Sequence, residues 1–272
     1  MTTSSQLPAD WCFKPRRIPM TTIRFTVTSC LLLLSGLAMR ADGPPKAASV
    51  TVCNLGVLAL SGKVLFLPGT SGVEAIAVFN GKPLWEAKDT GVPLLATADY
   101  VVSQIPVKGK KNQVKLVVLD AATGERLRIS DAIEFPEWVS VPLDFGHRFR
   151  SAARLDKNNV LFVWEAYTFS DGGELPPHPD PNAKRAAGAF QLDVKSGRAS
   201  AVKEVQPREG ELPDWTLAQT KHDGWVFRVE EKSPEPGFPH VLTTRILIAE
   251  RLDGKGSWKR PLVGQPHLPP RP

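Results

Sequence analysis

From residue 50 onward the apolar residues come in short runs, cut by Gly, Pro, Asn and Asp, and no stretch sustains a helical repeat. A turn followed by three or four apolar residues occurs at "SGKVLFLPG", "TADYVVSQI", "DKNNVLFVW" and "HDGWVFRVE". Each is preceded by another apolar run: "GVLAL", "VPLLAT", "RSAARL" and "DWTLAQT". Each is followed, after a variable loop, by a hairpin: "AIAVFNGKPLW", "LVVLDAATGERL", "GAFQLDVKSGRAS" and "ILIAERLDGKGSW". The pattern predicts four units of four strands, sixteen in all.

The hairpins have a physical logic. Asp or Asn bonds the nearby backbone and favours a turn, and Gly accepts positive φ at its end. Asp120…Gly124 and Asp193…Gly197 fit this, and Asn80-Gly81 reads as the tight two-residue version. Gly81, Gly124 and Gly197 are 43 and 73 residues apart, the longer gap holding the insertion "SDGGELPPHPDPNAK" at 170–184. Four-stranded units repeating every ~40–50 residues mark propeller blades. The expected fold is therefore all-β, a β-propeller-like domain of about four blades of four antiparallel strands. A β-sandwich of two meandering sheets is the alternative.

"LVVLDAATGERL" resembles the repeat of pyrroloquinoline-quinone-type β-propellers, whose outer hairpin reads apolar–Asp–x–x–Thr–Gly–Lys–x–x–Trp. Asp120, Thr123 and Gly124 match, and the terminal Trp is matched by Trp85 and, loosely, by Trp258. Arg128 stands in that place in unit two and Ala201 in unit three. The resemblance covers about residues 55 to 262. It implies that this Trp packs between neighbouring blades, leaving other side chains to do so in units two and three. Family members usually carry more than four blades, which implies either a small ring or part of a larger propeller completed by a partner. Quinone binding would require a calcium site of Glu, Asn and Asp with a stacking Trp and arginines. Those residues have no one-to-one counterparts here, so the resemblance implies fold and no cofactor.

The N-terminus changes the picture of charge and address. "MTTIRFTVTSCLLLLSGLAMRADG", starting at Met20, has a basic start, an apolar run and small residues, the order of a secretory signal. Cleavage after Ala38 or Ala41 fits, and the run is shorter than a spanning helix needs. The expected organisation is an export segment at 1–41, a linker at 42–54, the β-domain at 55–265 and a tail at 266–272. The formal charge of +6 falls to +2 once residues 1–40 are set aside, so a nucleic-acid partner is not supported. Of three cysteines, Cys12 and Cys30 lie in or before the signal. Cys53 is then alone, without an intrachain disulfide partner, and reads as a small buried hydrophobe.

Catalytic signatures such as G-x-S-x-G, H-E-x-x-H, a P-loop, C-x-x-C or G-x-G-x-x-G are absent from the sequence. No catalytic residue, metal ligand set or cofactor is assigned. Two groups are candidates for ligand binding. His222-Asp223 opens the inner strand of unit four, where a turn could face a central channel. His147 and Trp138, with Glu134 and Glu137, lie in the connection from unit two to unit three, either as a polar cleft with an aromatic floor or with Trp138 as a packing anchor. The insertion offers Asp171, Glu174, His178 and Asp180 as interaction-loop candidates, stiffened by prolines. Lys108, Lys110, Lys111 and Lys115 form a basic hairpin, a contact for anions or a guard against edge pairing.

The leading expectation is an exported, non-catalytic interaction platform, secreted or periplasmic, that meets an envelope or extracellular protein through loops 168–187 and 230–243. The alternatives are an enzyme or carbohydrate or small-molecule binder with a site in the propeller channel, and a subunit completing a larger propeller. No stable membrane span is expected after signal cleavage.

Overall fold

The computed structural model describes residues 49–53, 56–141, 147–157, 159–168, 183–213, 219–232 and 244–262. Every regular element among them is a strand, and the strands form four antiparallel sheets. Sheet one comprises β1 (Ser49–Val52), β2 (Gly56–Ala59), β3 (Val64–Pro68), β4 (Gly72–Ala77) and β5 (Pro83–Lys88), in that order. Sheet two comprises β6 (Val92–Ala96), β7 (Tyr100–Pro106) and β8 (Gln113–Asp120), whose outer edge is shared by β9 (Arg126–Ile129) and β10 (Ile133–Glu134). Sheet three comprises β11 (His147–Asp156), β12 (Asn159–Thr168), β13 (Arg185–Leu192) and β14 (Ala199–Val202). Sheet four comprises β15 (Gln219–His222), β16 (Trp225–Lys232), β17 (Thr244–Arg251) and β18 (Ser257–Leu262).

The fold is all-β and propeller-like: four up-and-down meanders, packed face to face in the order four, one, two, three, in place of the two sheets of a sandwich. The core explains why the strand runs read as unbroken apolar stretches. In β3, Leu65 and Leu67 face sheet four while Phe66 faces sheet two, and all three are buried. In β8, Val117 and Leu119 face sheet one while Leu116 and Val118 face sheet three. A strand covered on both faces has no polar side to alternate with. Burying each such side chain contributes about 1.5–3 kcal/mol.

Two strands lie beyond the sixteen expected. β1 falls in the stretch read as a linker, and it pairs along β2 from Ser49↔Ala59 to Val52↔Gly56. The Cys53 amide at its end donates to Thr220 Oγ1 of β15 at 3.0 Å, joining sheet one to sheet four. β10 arises because Ser130 bonds Leu116 and carries the chain on along β8.

The outer hairpins are built alike. Asp120 Oδ1 accepts from the amides of Ala122 and Thr123 and from the Thr123 hydroxyl, and the Gly124 amide bonds the Asp120 carbonyl. Asp193 does the same with Lys195, Ser196 and Gly197. Asn80-Gly81 is not the two-residue turn expected. Gly81 bonds back to Ala77, and Ala77 to Lys82, the same longer loop as in the other units.

Candidate functional site

Each pair of neighbouring sheets from four to one to two to three is joined by a side chain of an outer strand. Trp258 Nε1 of sheet four donates to the Val78 carbonyl in sheet one's outer turn at 2.6 Å. Trp85 Nε1 of sheet one donates to the Ala121 carbonyl in sheet two's turn at 3.2 Å. Arg128 Nε of sheet two donates to the Lys195 carbonyl in sheet three's turn at 2.9 Å. The glycines under these groups have a second reason to be glycine beyond positive φ. A Cβ on Gly81 would stand 2.7 Å from Trp258, and one on Gly124 2.5 Å from Trp85.

The register corrects one sequence alignment. Trp85 pairs with Ala75 and Arg128 with Val118, each just past a register shift in the outer hairpin. The hairpin of sheet three has no such shift, so Ser200, not Ala201, stands opposite Gln191 in the corresponding place. Ser200 is exposed and faces away from sheet two.

The sequence candidates divide between the two ends of the sheets. At one end, the connection following β9 is strapped to the β7–β8 tip. The Phe135 amide and carbonyl bond Asn112, and the Val141 amide bonds the Lys111 carbonyl. Phe135 is buried at the centre of an aromatic group, 4.9 Å from Phe149 and 4.8 Å from Trp164 between ring centroids. Trp138 packs half-buried against the same cluster, so it serves as an anchor, while Glu134 and Glu137 are exposed. Lys108, Lys110 and Lys111 are exposed at the tip. His147 opens β11 opposite Thr168, and its side chain lies outside the described residues. Asp171, Glu174, His178 and Asp180 also lie outside them. Their insertion is bounded by Thr168 and Lys184, which bond each other through Thr168 N and Oγ1.

His222 and Asp223 belong to the other end. Asp223 and Gly224, at φ of 45° and 76°, form the turn between His222 and Trp225, a geometry that Asp-Gly favours. The Asp223 carboxylate lies against Gly62 in the β2–β3 turn of sheet one, where an added Cβ would meet it at 2.5 Å. The Gly224 carbonyl accepts from the Leu252 amide. This turn is thus engaged in joining sheets four and one, and it is not brought together with Trp138, which packs between sheets two and three.

Cys53 is buried, and burial raises its thiol pKa, partly offset by hydrogen bonding to Thr220. Its Sγ donates to the Phe227 carbonyl at 3.3 Å. A raised pKa and a donated bond suit a packed thiol more than a nucleophile. A shallow groove of about 50 Å³ is lined by Leu67, Pro68, Glu74, Arg260 and Leu262, and the Arg260–Glu74 ion pair occupies its wall. Small-molecule sites run to about 300–1,000 Å³, so this groove admits little beyond water. Among the described residues, no three His, Cys, Asp or Glu side chains stand together as a metal site. Among them, too, no helix is long and apolar enough to cross a membrane.

Phe135, Asn112 and Arg128 are the structural residues that motif reasoning missed. "EFPEW" carried the signal for the first, an aromatic pair around a proline in an otherwise polar connection.

No protein-family model matches the chain, and no curated protein matches it. Among solved structures, the N-terminal domain of Nup159 aligns at 9% identity and a TM-score of 0.20, over 78% of this chain and 60% of that one. At that score nothing about fold or function is transferred.

Proposed function

We propose that the chain is an exported, non-catalytic scaffold that binds a protein of the cell envelope or its surroundings through loops at one end of its sheets. The observation that carries this is an asymmetry between the two ends. Connections at the His222 end are short: 60–63, 97–99, 157–158 and 223–224 between inner strands, and 78–82, 121–125, 193–198 and 252–256 between outer ones. Connections at the other end are equally short in sheets one and two, at 69–71, 89–91 and 107–112, but lengthen to 169–184 and 233–243 in sheets three and four, together with the inter-sheet segments 130–146, which contains β10, and 203–218. Long connections on a rigid frame are where binding concentrates. The stapled sheets supply the frame, and the exposed lysines of the β7–β8 tip stand among these connections. The resemblance to quinone-type propeller repeats is supported by Trp85 and Trp258, which lie between neighbouring sheets, and it is offered for the repeat alone.

The test expresses the full chain with its own N-terminus, beside a variant lacking 172–183, and recovers both from fractionated cells. Export predicts recovery from the envelope or medium, shortened at the N-terminus. The platform reading predicts a partner captured in near-stoichiometric amount by the full chain and lost with the deletion. Equal capture by both, or accumulation in the cytosol, would overturn it.

A further inference from the structure

Three of the four possible sheet junctions share one construction, and the fourth differs from it in every respect. Junctions four–one, one–two and two–three each have a staple and an apolar cluster reaching across. Between sheets three and four, among the described residues, no cluster spans the gap. The seam-facing side of sheet three is covered by its own chain: Leu212 and Val205 lie on Leu161, Val163 and Ala189, and Glu211 pairs with Arg154. Beside them Arg150 pairs with Glu165 at 2.6 Å, within the sheet. The corresponding side of sheet four carries Val226, the fully buried Ile248, and Arg228, paired with Glu230 and Glu250 of its own sheet, the three charged groups being 37%, 42% and 44% exposed. At the outer rim, Ser200 occupies the staple position, and Gly254 in sheet four's turn has nothing within 4 Å of where a Cβ would stand.

We infer that the seam between sheets three and four is a built-in opening, along which the module widens while its other three junctions hold. Parting an apolar junction exposes whole rows of fully buried side chains, whereas the described faces here carry the ion pairs Arg150–Glu165, Arg154–Glu211 and Arg228–Glu250, each made on its own side of the seam, with Ile248 the fully buried apolar side chain on sheet four's side. Ion pairs made on one side of the seam do not bind across it, so opening breaks none of these pairs and costs less than parting an apolar junction. Spatial order is therefore four–one–two–three, and the connection 203–218 spans the break. Among the described residues, sheet four is held by sheet one, through Trp258 and through Cys53 and Thr220.

Spin labels carried on non-canonical side chains in the full chain test this, one pair at Arg198 and Leu252 across the seam and one at Leu127 and Lys195 across the stapled two–three junction. All four are exposed. The seam pair is expected to give a distance distribution about twofold broader than the control, as two populated separations would. Adding Ser200→Trp, which places an indole donor at the vacant staple position, should narrow it. A seam distribution as narrow as the control's in the unsubstituted chain would overturn the inference. So would a broad one left unchanged by Ser200→Trp while thermal unfolding shows the variant folded.

Discussion

The junction between sheets one and two and the seam between sheets three and four are made of the same strands in the same order, yet they behave as opposites. At the first, Phe66, Ala75 and Trp85 of sheet one meet Val101, Val117 and Leu119 of sheet two, and Trp85 closes the outer rim with its hydrogen bond to Ala121. At the second, the corresponding positions hold Leu161, Gln191 and Ser200 in sheet three and Val226, Ile248 and Glu250 in sheet four; Leu161 is covered by Leu212 and Val205 of its own chain, and the pairs Arg150–Glu165 and Arg228–Glu250 stand on the same two faces. Strand geometry alone does not make a blade interface. The side chains on the facing rows decide whether two sheets bind or merely lie near each other. Sheet three ends its apolar face under residues 203–213, as terminal repeats of solenoids do, leaving no unmet demand for a neighbour.

The strongest way to break the comparison is at the junction that holds sheet four. Trp258→Ala removes the indole over Gly81, its hydrogen bond to Val78, and part of the cluster containing Phe227 and Leu247. A loss of about 3–5 kcal/mol is expected from truncating such a side chain. Denaturant unfolding followed by fluorescence and by circular dichroism checks it. Because sheet four is held chiefly from this side, the two probes should part in the variant, with sheet four unfolding at lower denaturant. Coincident transitions with an unchanged midpoint would show that sheet three carries sheet four after all.

Much of this architecture was legible from the pattern of apolar runs. The four units, their hairpins and the aspartates that close two of them follow from local rules: Asp120 and Asp193 satisfy turn amides that lie within three residues. The staples were half legible. Trp85 and Trp258 stood out by residue type, but Arg128 does the same work with a guanidinium, and its role depends on Lys195, 67 residues away. Ser200 was hidden by a register difference, since a missing bulge moves every later residue by one place and turns it to the other face. Trp138 and His222 were legible as unusual residues but not as neighbours, because which end of a sheet a residue reaches depends on counting strands through the whole chain. β1 was read as a linker because four residues carry little period, and its pairing partner had to be seen to define it.

A smaller contrast comes from two charged residues. Arg128→Met should destabilise by about 1 kcal/mol, the usual net value of a hydrogen bond, while retaining the aliphatic stem. Glu250→Gln on the seam face should change stability by less than about 0.5 kcal/mol, because an exposed ion pair contributes little. Paired chemical denaturation of the two variants reads the difference directly. Equal effects would mean that the seam face is under a load its exposure does not reveal.

The smallest effect is that of acid on the two aspartate turns, which brace the hairpins on either side of the Arg128 staple. Asp120 is held below the ordinary carboxylate range by hydrogen bonds from Thr123, and Asp193 by those from Ser196 and Lys195. A depressed folded-state pKa means that the stabilisation is complete above the unfolded value of about 3.9 and is lost as pH falls below it. Both turns should therefore hold from neutrality down to about pH 4 and loosen beneath that, where the protonated carboxyl accepts more weakly from the turn amides. The Asp120→Asn and Asp193→Asn variants keep an acceptor oxygen but cannot titrate, so part of the acid dependence of the melting temperature should vanish in the double variant. Both carboxylates are solvent-exposed, so the change will be small and will shrink with added salt. A double variant with the parent's full acid dependence would show that these two turns do not carry it.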